Sequence, residues 1–447
     1  MAMEVGASWL RADGNMADVV VSSRVRLARN LAGIAFVARA SKADRQRVLD
    51  VVRPVVLEAG LDAAQPAAQQ AVQPGEQPLS KDAGKASEKK AESKKPDPLS
   101  RVIWIDLHAT PPLERSLLVE RHLISKQHQK GKGPTPNDDP RAVAIGVPDE
   151  RLSIMVNEED HLRIQMLHSG LALGTAWQHA SEVDDRLEAG LDFAYSSRFG
   201  YLTACPTNVG TGLRMSVMLH LPGLRLTGEI DKVKRAAEGM SLAVRGFYGE
   251  GSEAVGDLFQ ISNQTTLGKS EPQILQELEQ VIIPRVVEYE RLSRRELLHK
   301  RRIALEDQVW RAWGVLSNAR MLTTEEAMQG LSLLRMGIAM GIVRLHERGS
   351  DKGGSHAGVG LVPSQRLATR ATLAGMLRTA NQMMLLAQPS HLQRAFGEEL
   401  DQEQRRVARA RLMRARLAGE KDTTPPTQDE GDRGAEGKGP AGEAGTA

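Results

Sequence analysis

Three carboxylates stand in a row at Glu158, Glu159 and Asp160, flanked by Asn157 and His161, directly after the apolar run Leu152 to Val156. Most acidic runs are solvated turns. Here the chain resumes at once with strand-like Leu162-Arg163-Ile164, so the acids are expected inside a sheet layer. Carboxylates paired in that way can receive a planar guanidinium, whose N–H donors fork onto two oxygens.

Arginines in strand and turn settings are the second ingredient. Ser22-Ser23-Arg24-Val25-Arg26 places two cations at i and i+2, on one face of an extended segment. Arg163 alternates with apolar neighbours, and Arg214 follows the turn Gly210-Thr211-Gly212. Arg245 closes the strand-like Leu242 to Val244 just before Gly246. Any one of these is more often a surface or ion-pair residue; together they read as a polyphosphate clamp that needs no P-loop. Positioning and charge stabilisation supply most of phosphoryl-transfer catalysis.

Two further features accompany them. Cys205, in Thr203-Ala204-Cys205-Pro206-Thr207-Asn208, precedes the glycine turn and an expected helix at Leu213 to Leu219. Arginines and a helix N-terminus favour a thiolate, and a buried inert cysteine is the equal alternative. Gly246-Phe247-Tyr248-Gly249-Glu250-Gly251-Ser252-Glu253 reads as a glycine-hinged lid or substrate loop.

Other chemistries fail on spacing. Gly268-Lys269-Ser270 ends like a Walker A loop, but Asn263 stands where its first glycine belongs. Asp192-Phe193-Ala194 echoes a kinase metal motif, without any HRD catalytic loop in the chain. His161, His168 and His179 lack metal-ligand spacing, so no metal site is expected.

The elements that must position these residues divide into two textures. From about Ser100 to Ser270, strand-like runs (Val102 to Leu107, Leu152 to Val156, Gly200 to Thr203, Leu242 to Phe247, Leu258 to Ser262) mix with helical spacing at Glu114 to Ile124, Leu171 to Leu187 and Leu213 to Leu219. Without a regular strand–helix–strand rhythm, an α+β layer is favoured over a doubly wound sheet. From Glu271 to Leu417 the pattern is helical. Ile274, Leu275, Leu278, Val281 and Ile282 form one stripe, Pro284 is expected to kink or end that helix, and Thr323 with Glu326 forms a capping box. In the following helix Gly337 and Gly341 lie one turn apart, suited to tight intramolecular packing or, less well, to a dimer face. The expected division is 1–61 as the N-terminal part of a catalytic domain, 62–100 as a disordered insertion, 101–270 as the rest of that domain, 271–417 as a helical C-terminal domain and 418–447 as a disordered tail.

The chain has 447 residues with 59 Lys and Arg against 56 Asp and Glu, a net charge of +3 that argues against a broad nucleic-acid footprint. A single cysteine excludes an internal disulfide and fits a reducing cytosol. No apolar stretch is long enough to span a bilayer, and Met1 to Asp13 lacks a signal-peptide pattern, so a cytoplasmic protein without membrane or nucleic-acid partners is expected.

Ser22 to Asn30, the Asn157 to His161 acids and Cys205-Pro206-Thr207-Asn208-Val209-Gly210-Thr211-Gly212 together resemble the phosphagen (guanidino) kinase superfamily. Arg245 to Glu250 and Ile261 to Ser270 place the likeness in its protein-arginine kinase branch. It covers roughly Asp18 to Gly60 and Arg101 to Leu417. The resemblance implies an α+β catalytic domain, an antiparallel sheet flanked by helices, followed by an all-helical domain associated with dimerisation. It implies that ATP, with Mg²⁺ held mainly through its phosphates, lies among Ser22, Ser23, Arg24, Val25 and Arg26, His122, Arg163, Arg214, Met215, Ser216, Val217 and Met218, and Arg245 to Glu250. Glu158 and Glu159 would hold the target guanidinium, with Cys205 and Glu250 nearby. Stress-linked quality control with an activating adaptor and a Clp-type protease is a further implication.

Kinases of free arginine or creatine carry a helical domain before the Ser-x-Arg-x-Arg motif, whereas only 21 residues precede Ser22 here. The open site this suggests suits a side chain presented by a polypeptide, so protein substrates are favoured over free arginine. A non-catalytic phosphoarginine-binding adaptor is the competing class. The branch's Arg-Asp-x-x-Arg-Ala phosphoarginine motif corresponds to Arg405-Arg406-Val407-Ala408-Arg409-Ala410, with Arg406 in place of the acid. Arg405 and Arg409, one helical turn apart, suit either a phosphate or a solvated basic face.

Overall fold

In this computed structural model the described residues are 7–61, 101–131, 139–246, 255–264, 266–348, 358–363, 369–397 and 400–418. The insertion 62–100, the loop 247–254 with Phe247, Tyr248, Gly249 and Glu250, and the tail 419–447 lie outside them.

In chain order the first compact unit contains β1 (Val20–Arg29), α1 (Lys42–Leu61), β2 (Val102–Asp106), α2 (Pro112–Glu120), α3 (Lys126–Lys130), β3 (Ala142–Gly146), β4 (Leu152–Val156), β5 (Leu162–Ser169) and α4 (Leu173–Glu188). A short hairpin, β6 (Tyr195–Ser196) and β7 (Gly200–Tyr201), leads to β8 (Leu213–His220), α5 (Pro222–Leu226), α6 (Ile230–Gly239), β9 (Leu242–Arg245) and β10 (Leu258–Asn263). Eight strands form one sheet in the order β2-β3-β4-β5-β1-β8-β10-β9, with every neighbouring pair antiparallel.

The period of two along a strand separates the sheet's faces. Val25, Leu27, Ile164, Met166, Met215, Val217 and Ile261 face a core shared with Leu173, Ala176, Ala180, Val183 and Leu187 of α4. Arg24, Arg26, Gln165, Arg214, Ser216 and Gln260 occupy the alternating positions on the other side.

Leu213 to Leu219, expected as a helix, is instead the sheet's near-central strand β8. Its Leu213, Met215, Val217 and Leu219 alternate with Arg214, Ser216, Met218 and His220, a period of two that the apolar Met218 breaks enough for so short a run to fit helical spacing as well. β3, with all five residues buried, carries no such alternation and was not anticipated.

α7 (Glu271–Gln276) opens with a capping box from Ser270 and Gln273 and leads through a π-helical turn, Glu277–Ile282, into α8 (Ile283–Asn318). The helix therefore continues past Pro284. The wider turn lies immediately ahead of it, and the non-helical backbone of α8 occurs at Arg301.

Two compact units meet between Arg294 and Arg295, with Val255–Asp257 joining the second. Ile274, Leu278, Ile283, Val286 and Val287 belong to the sheet's own core. The buried Glu290 accepts from the Gly223 and Leu224 amides at 2.9 Å each and pairs with Arg294 at 2.6 Å. These contacts make the start of α8 part of the first unit.

The second unit is helical, as expected, with an added hairpin. It contains α9 (Thr324–Ala339), β11 (Val343–Arg348), β12 (Gly358–Pro363), α10 (Arg370–Leu386), α11 (Pro389–Phe396) and α12 (Gln402–Ala418). Thr323 and Glu326 form the anticipated capping box. A Cβ at Gly337 would meet Val309 Cγ1 at 2.7 Å, so that glycine serves close packing within the unit. Gly341, with φ of 70°, lies beyond the helix end and turns the chain into β11.

Candidate functional site

Antiparallel register assembles the site across the polar face. Arg26 lies opposite Gln165 on β5 and Arg214 on β8, while Arg24 lies opposite Leu167 and Ser216. Arg245 on β9 is paired with Gln260 on β10. The Arg24 guanidinium donates to Gln260 Oε1 at 2.8 Å and to Ser216 Oγ at 3.3 Å, and Arg214 donates to Ser262 Oγ at 3.2 Å. A cavity of about 540 Å³ lies over this face, lined by Arg24, Arg26, Arg163, Arg214 and Arg245 together with Glu158, Glu159, His122 and Cys205.

The electrostatics of the row are lopsided. Burial, followed by Arg163, Arg214 and Arg245, lowers Arg24 to about 9, and burial with Arg24, Arg163 and Arg214 also pushes Arg26 down. Arg26 Nε is buried without a hydrogen-bond partner among the described residues. Guanidiniums crowded in this way are stabilised by a polyanion that supplies both charge and acceptors. A polyphosphate would meet that demand.

The acid pair sits at the edge of the row, in the turn between β4 and β5. Asn157 takes a left-handed φ of 63° and donates to the carbonyls of Arg45 and Pro140, which fixes the turn. Glu158 is buried. Its Oε1 accepts from Ser125 Oγ at 2.5 Å, and its Oε2 accepts from Arg163 Nη1 at 2.7 Å and from the Glu159 amide at 2.9 Å. Glu159, about a third exposed, lies 3.5 Å from Arg163 Nη2. Burial opposes charge on Glu158, yet Arg163, the Ser125 hydroxyl and the Glu159 amide outweigh it and hold its carboxyl below the usual range. Burial likewise opposes the Arg163 cation, and Glu158, Glu159, Asp160 and Cys205 more than compensate, raising its pKa.

Asp160 and His161 of the same run are structural. Asp160 Oδ1 accepts from Asn30 Nδ2 at 2.7 Å and from the Ala204 amide at 2.6 Å, so it ties the end of β1 to the loop bearing Cys205. His161 Nδ1 accepts from the Leu31 amide, which leaves its Nε2–H to donate to Ala35 O. His168 and His179 face each other at 3.2 Å. Among the described residues no group of three or more His, Cys, Asp or Glu could hold a metal ion.

Cys205 is half-buried, with Sγ 3.0 Å from Thr207 Oγ1. Only a three-residue 3₁₀ turn, Pro206–Asn208, follows it before the chain enters β8, so the expected helix N-terminus is absent. The loop is anchored from both sides. Thr266 Oγ1 donates to Val209 O at 2.7 Å, and Arg29 donates to Thr211 O at 3.0 Å while pairing with buried Asp184 at 2.6 Å. A Cβ at Gly212, where φ is 67°, would meet Arg29 Nη1 at 2.6 Å and Ala28 O at 2.7 Å, so only glycine fits there.

Several residues named from sequence do not present side chains to the cavity. Val25, Met215 and Val217 point into the apolar core, because odd and even positions of a strand face opposite ways. Ser23 donates to Gly170 O and accepts from the Ala172 amide, on that same side. Ser22, Ser216 and Met218 line a smaller recess beside Arg24 and His122. His122, with φ of 61°, stacks edge-on against Trp9 at 5.2 Å, and burial with Arg24 lowers its pKa to about 3.

In the second unit Arg409 is buried, donating to Ala387 O and Leu322 O at 2.7 Å each, and Arg405 donates to Leu400 O at 2.7 Å. The Arg405 and Arg409 guanidiniums thus take part in holding helix ends together.

Ser125, Gln165 and Gln260 line the cavity and were not singled out from sequence. A serine capping α3 and glutamines in strands carry no catalytic signature until the sheet juxtaposes them. Asn263, which breaks the Walker pattern, is buried and bonds the β8 backbone at Met215 N and Leu213 O.

Fold and site together define the class of guanidino phosphotransferases. The family described as ATP:guanido phosphotransferase, C-terminal catalytic domain, matches residues 86–293, and the protein-arginine kinase McsB C-terminal domain matches 302–350 and 357–429. The protein-arginine kinase of Symbiobacterium thermophilum is 42% identical over 410 residues, 92% of this chain and 96% of that protein. The protein-arginine kinase of Bacillus subtilis is 37% identical over 411 residues, 92% of this chain and 93% of its own. A solved taurocyamine kinase from Schistosoma mansoni is 24% identical with a TM-score of 0.45, covering 61% of this chain and 33% of that one. The chain belongs to the protein-arginine kinase family.

Proposed function

We propose that the protein transfers the γ-phosphoryl group of ATP to arginine side chains of other proteins. The observation that carries this reading is the junction of the Glu158–Glu159 pair with the row Arg24, Arg26, Arg214 and Arg245 in one cavity. Acceptor-holding acids and phosphate-neutralising cations are thereby brought side by side.

The arginine row receives the ATP phosphates, and the two carboxylates hold the incoming guanidinium. A guanidinium nitrogen attacks the γ-phosphorus, the bond from that phosphorus to the β–γ bridging oxygen breaks, and its electron pair leaves with ADP. The proton released from the attacking nitrogen passes to a carboxylate as the new bond forms. Free guanidinium has a pKa above about 12, so proton loss must be coupled to transfer. Glu158, stabilised as an anion, is suited to holding the substrate cation, and the more open Glu159 to taking the proton. Mg²⁺ accompanies the nucleotide through its phosphates and supplies charge neutralisation between them.

Protein rather than free arginine as acceptor is supported by the relatives being protein-arginine kinases and by the match of the C-terminal domain. The homodimer, the activating adaptor, the Clp-type protease, the cytoplasmic location and a stress role belong to this proposal on family resemblance alone. So do the parts given to Cys205 and Glu250 beside the acceptor and to the Arg405–Ala410 motif. No helix among the described residues is long and apolar enough to cross a membrane.

The test is transfer from Mg-ATP, run in parallel with an unfolded protein and with free arginine. Acid-labile phosphoarginine on the protein is the expected result. Turnover of free arginine alone would replace this reading with a small-substrate kinase, and no transfer to either would favour a binding adaptor.

A further inference from the structure

Glu158 must present its carboxylate in one orientation, yet it stands on a turn rather than within a strand. Arg163 fixes Oε2 from the sheet side, and Ser125 fixes Oε1 from α3. The Ser125 contact is unusually well defined. Its Oγ accepts from the His128 amide at 3.0 Å as the N-cap of α3, while its single proton is donated to Glu158 at 2.5 Å. The cap fixes the position of Oγ, and the hydroxyl proton then has one destination. A hydroxyl donating to a carboxylate at that distance is a charge-assisted bond of the stronger kind.

We propose that Ser125 is a positioning residue for phosphoryl transfer, holding Glu158 anionic and aligned by coupling it to the first turn of α3. This rests on the proposed transfer reaction and assigns a role to a residue outside the acid pair and the arginine row. Around Glu158 the other charged or titratable groups are Arg163 and Asp160 beside it in sequence, Glu159 in its turn, Arg26 on β1, and His128 in α3. His128 is buried, donates through Nε2 to Ala142 O, and is lowered to about 4 by burial, so it stays neutral where the enzyme would work.

Two roles of Ser125 must be separated, the helix cap and the bond to Glu158. Ser125→Thr keeps both, Ser125→Ala removes both, and Ser125→Asp keeps a capping acceptor but has no proton to donate at neutral pH. Phosphoarginine formation on an unfolded protein is measured for each at saturating Mg-ATP, with the KM for ATP, the melting temperature and the pH profile of kcat/KM. The expected result is a loss in kcat of about 10- to 100-fold for both Ala and Asp, the range of a misaligned catalytic group. KM for ATP should stay within about twofold, and Thr should restore most of the rate. In the Ala variant the acidic limb of kcat/KM should move to higher pH, because a carboxyl that loses a donor to its anion becomes easier to protonate. Full activity in Ser125→Asp, or an unshifted limb in Ser125→Ala despite lower thermal stability, would reduce Ser125 to a helix cap and overturn the proposal. If the unaltered protein transfers phosphate to no protein, the functional reading itself fails, which is a different outcome.

Discussion

Arg163 Nη1 lies 2.7 Å from Glu158 Oε2, and Nη2 of the same guanidinium lies 3.5 Å from Glu159. One arginine of β5 thus spans both carboxylates and also borders the cationic row, lowering Arg24 and Arg26 through like charge. The acid pair and the cationic row are one electrostatic unit. A change at either acid releases positive charge toward the row, and a change at Arg163 releases negative charge at the acid pair.

Glu158→Gln should abolish most transfer while leaving the fold intact. The amide keeps the shape but cannot balance Arg163 and a substrate guanidinium together, so a fall in kcat of at least about 100-fold is expected. Phosphoarginine released by acid from a test protein gives the rate, and circular dichroism controls for folding. Retention of more than a tenth of the rate would remove Glu158 from the reaction.

Arg24→Ala should weaken nucleotide use more than protein binding. Arg24 is held by Gln260 and Ser216 against the cavity, and loss of a transition-state arginine costs on the order of 10³-fold. Arg24→Lys should recover little, since an ammonium cannot reproduce the planar fork. The measurement is kcat/KM for Mg-ATP at fixed protein acceptor, and near-complete rescue by lysine would show that only charge matters there.

Stability should fall on mild acidification. Burial lowers His122 to about 3 and His128 to about 4, against an ordinary value of 6.5. Each therefore binds fewer protons folded than unfolded between those limits. Their contribution is complete above pH 6.5 and is lost as pH falls toward 4 and then 3, at up to about 1.4 kcal/mol per pH unit for each group. Urea unfolding at a series of pH values from 7 to 5 measures the slope, which His128→Gln should make shallower. An unchanged slope would mean that His128 does not titrate with unfolding.

Asp184→Ala should destabilise the catalytic unit by about 3–5 kcal/mol, because it strands the buried Arg29 cation. Arg29 also lies 3.5 Å over the Tyr201 ring and supports Thr211 O, so the Cys205 loop should loosen with it. Chemical denaturation reads the stability, and modification of Cys205 by a thiol reagent reads the loop. A loss below about 1 kcal/mol would place the Arg29 charge in contact with solvent.

The acid pair, the two arginines of β1 and the capping box at Thr323 were legible in the sequence because each depends on local spacing. A period of two put Arg24 and Arg26 on one face, and an acid run between strand-like segments marked a turn held by a sheet. The amphipathic alternation of β1 and β5 fixes which face is polar, whichever strand lies beside it.

Neighbours in the sheet could not be read that way. β8 alternates apolar and polar residues, but Met218 breaks the period and lets so short a run fit helical spacing too, so its pairing with β1 and β10 is what settles it as a strand. The same pairing brings Arg214 level with Arg26 and turns Val25, Met215 and Val217 away from the cavity. Ser125 and Glu158 are separated by 33 positions, and no local rule links them. Residue types and spacing determined which chemistry this chain carries. The tertiary structure decided which side chains share it, because contacts between distant segments follow from register and packing rather than from any one segment's own preferences.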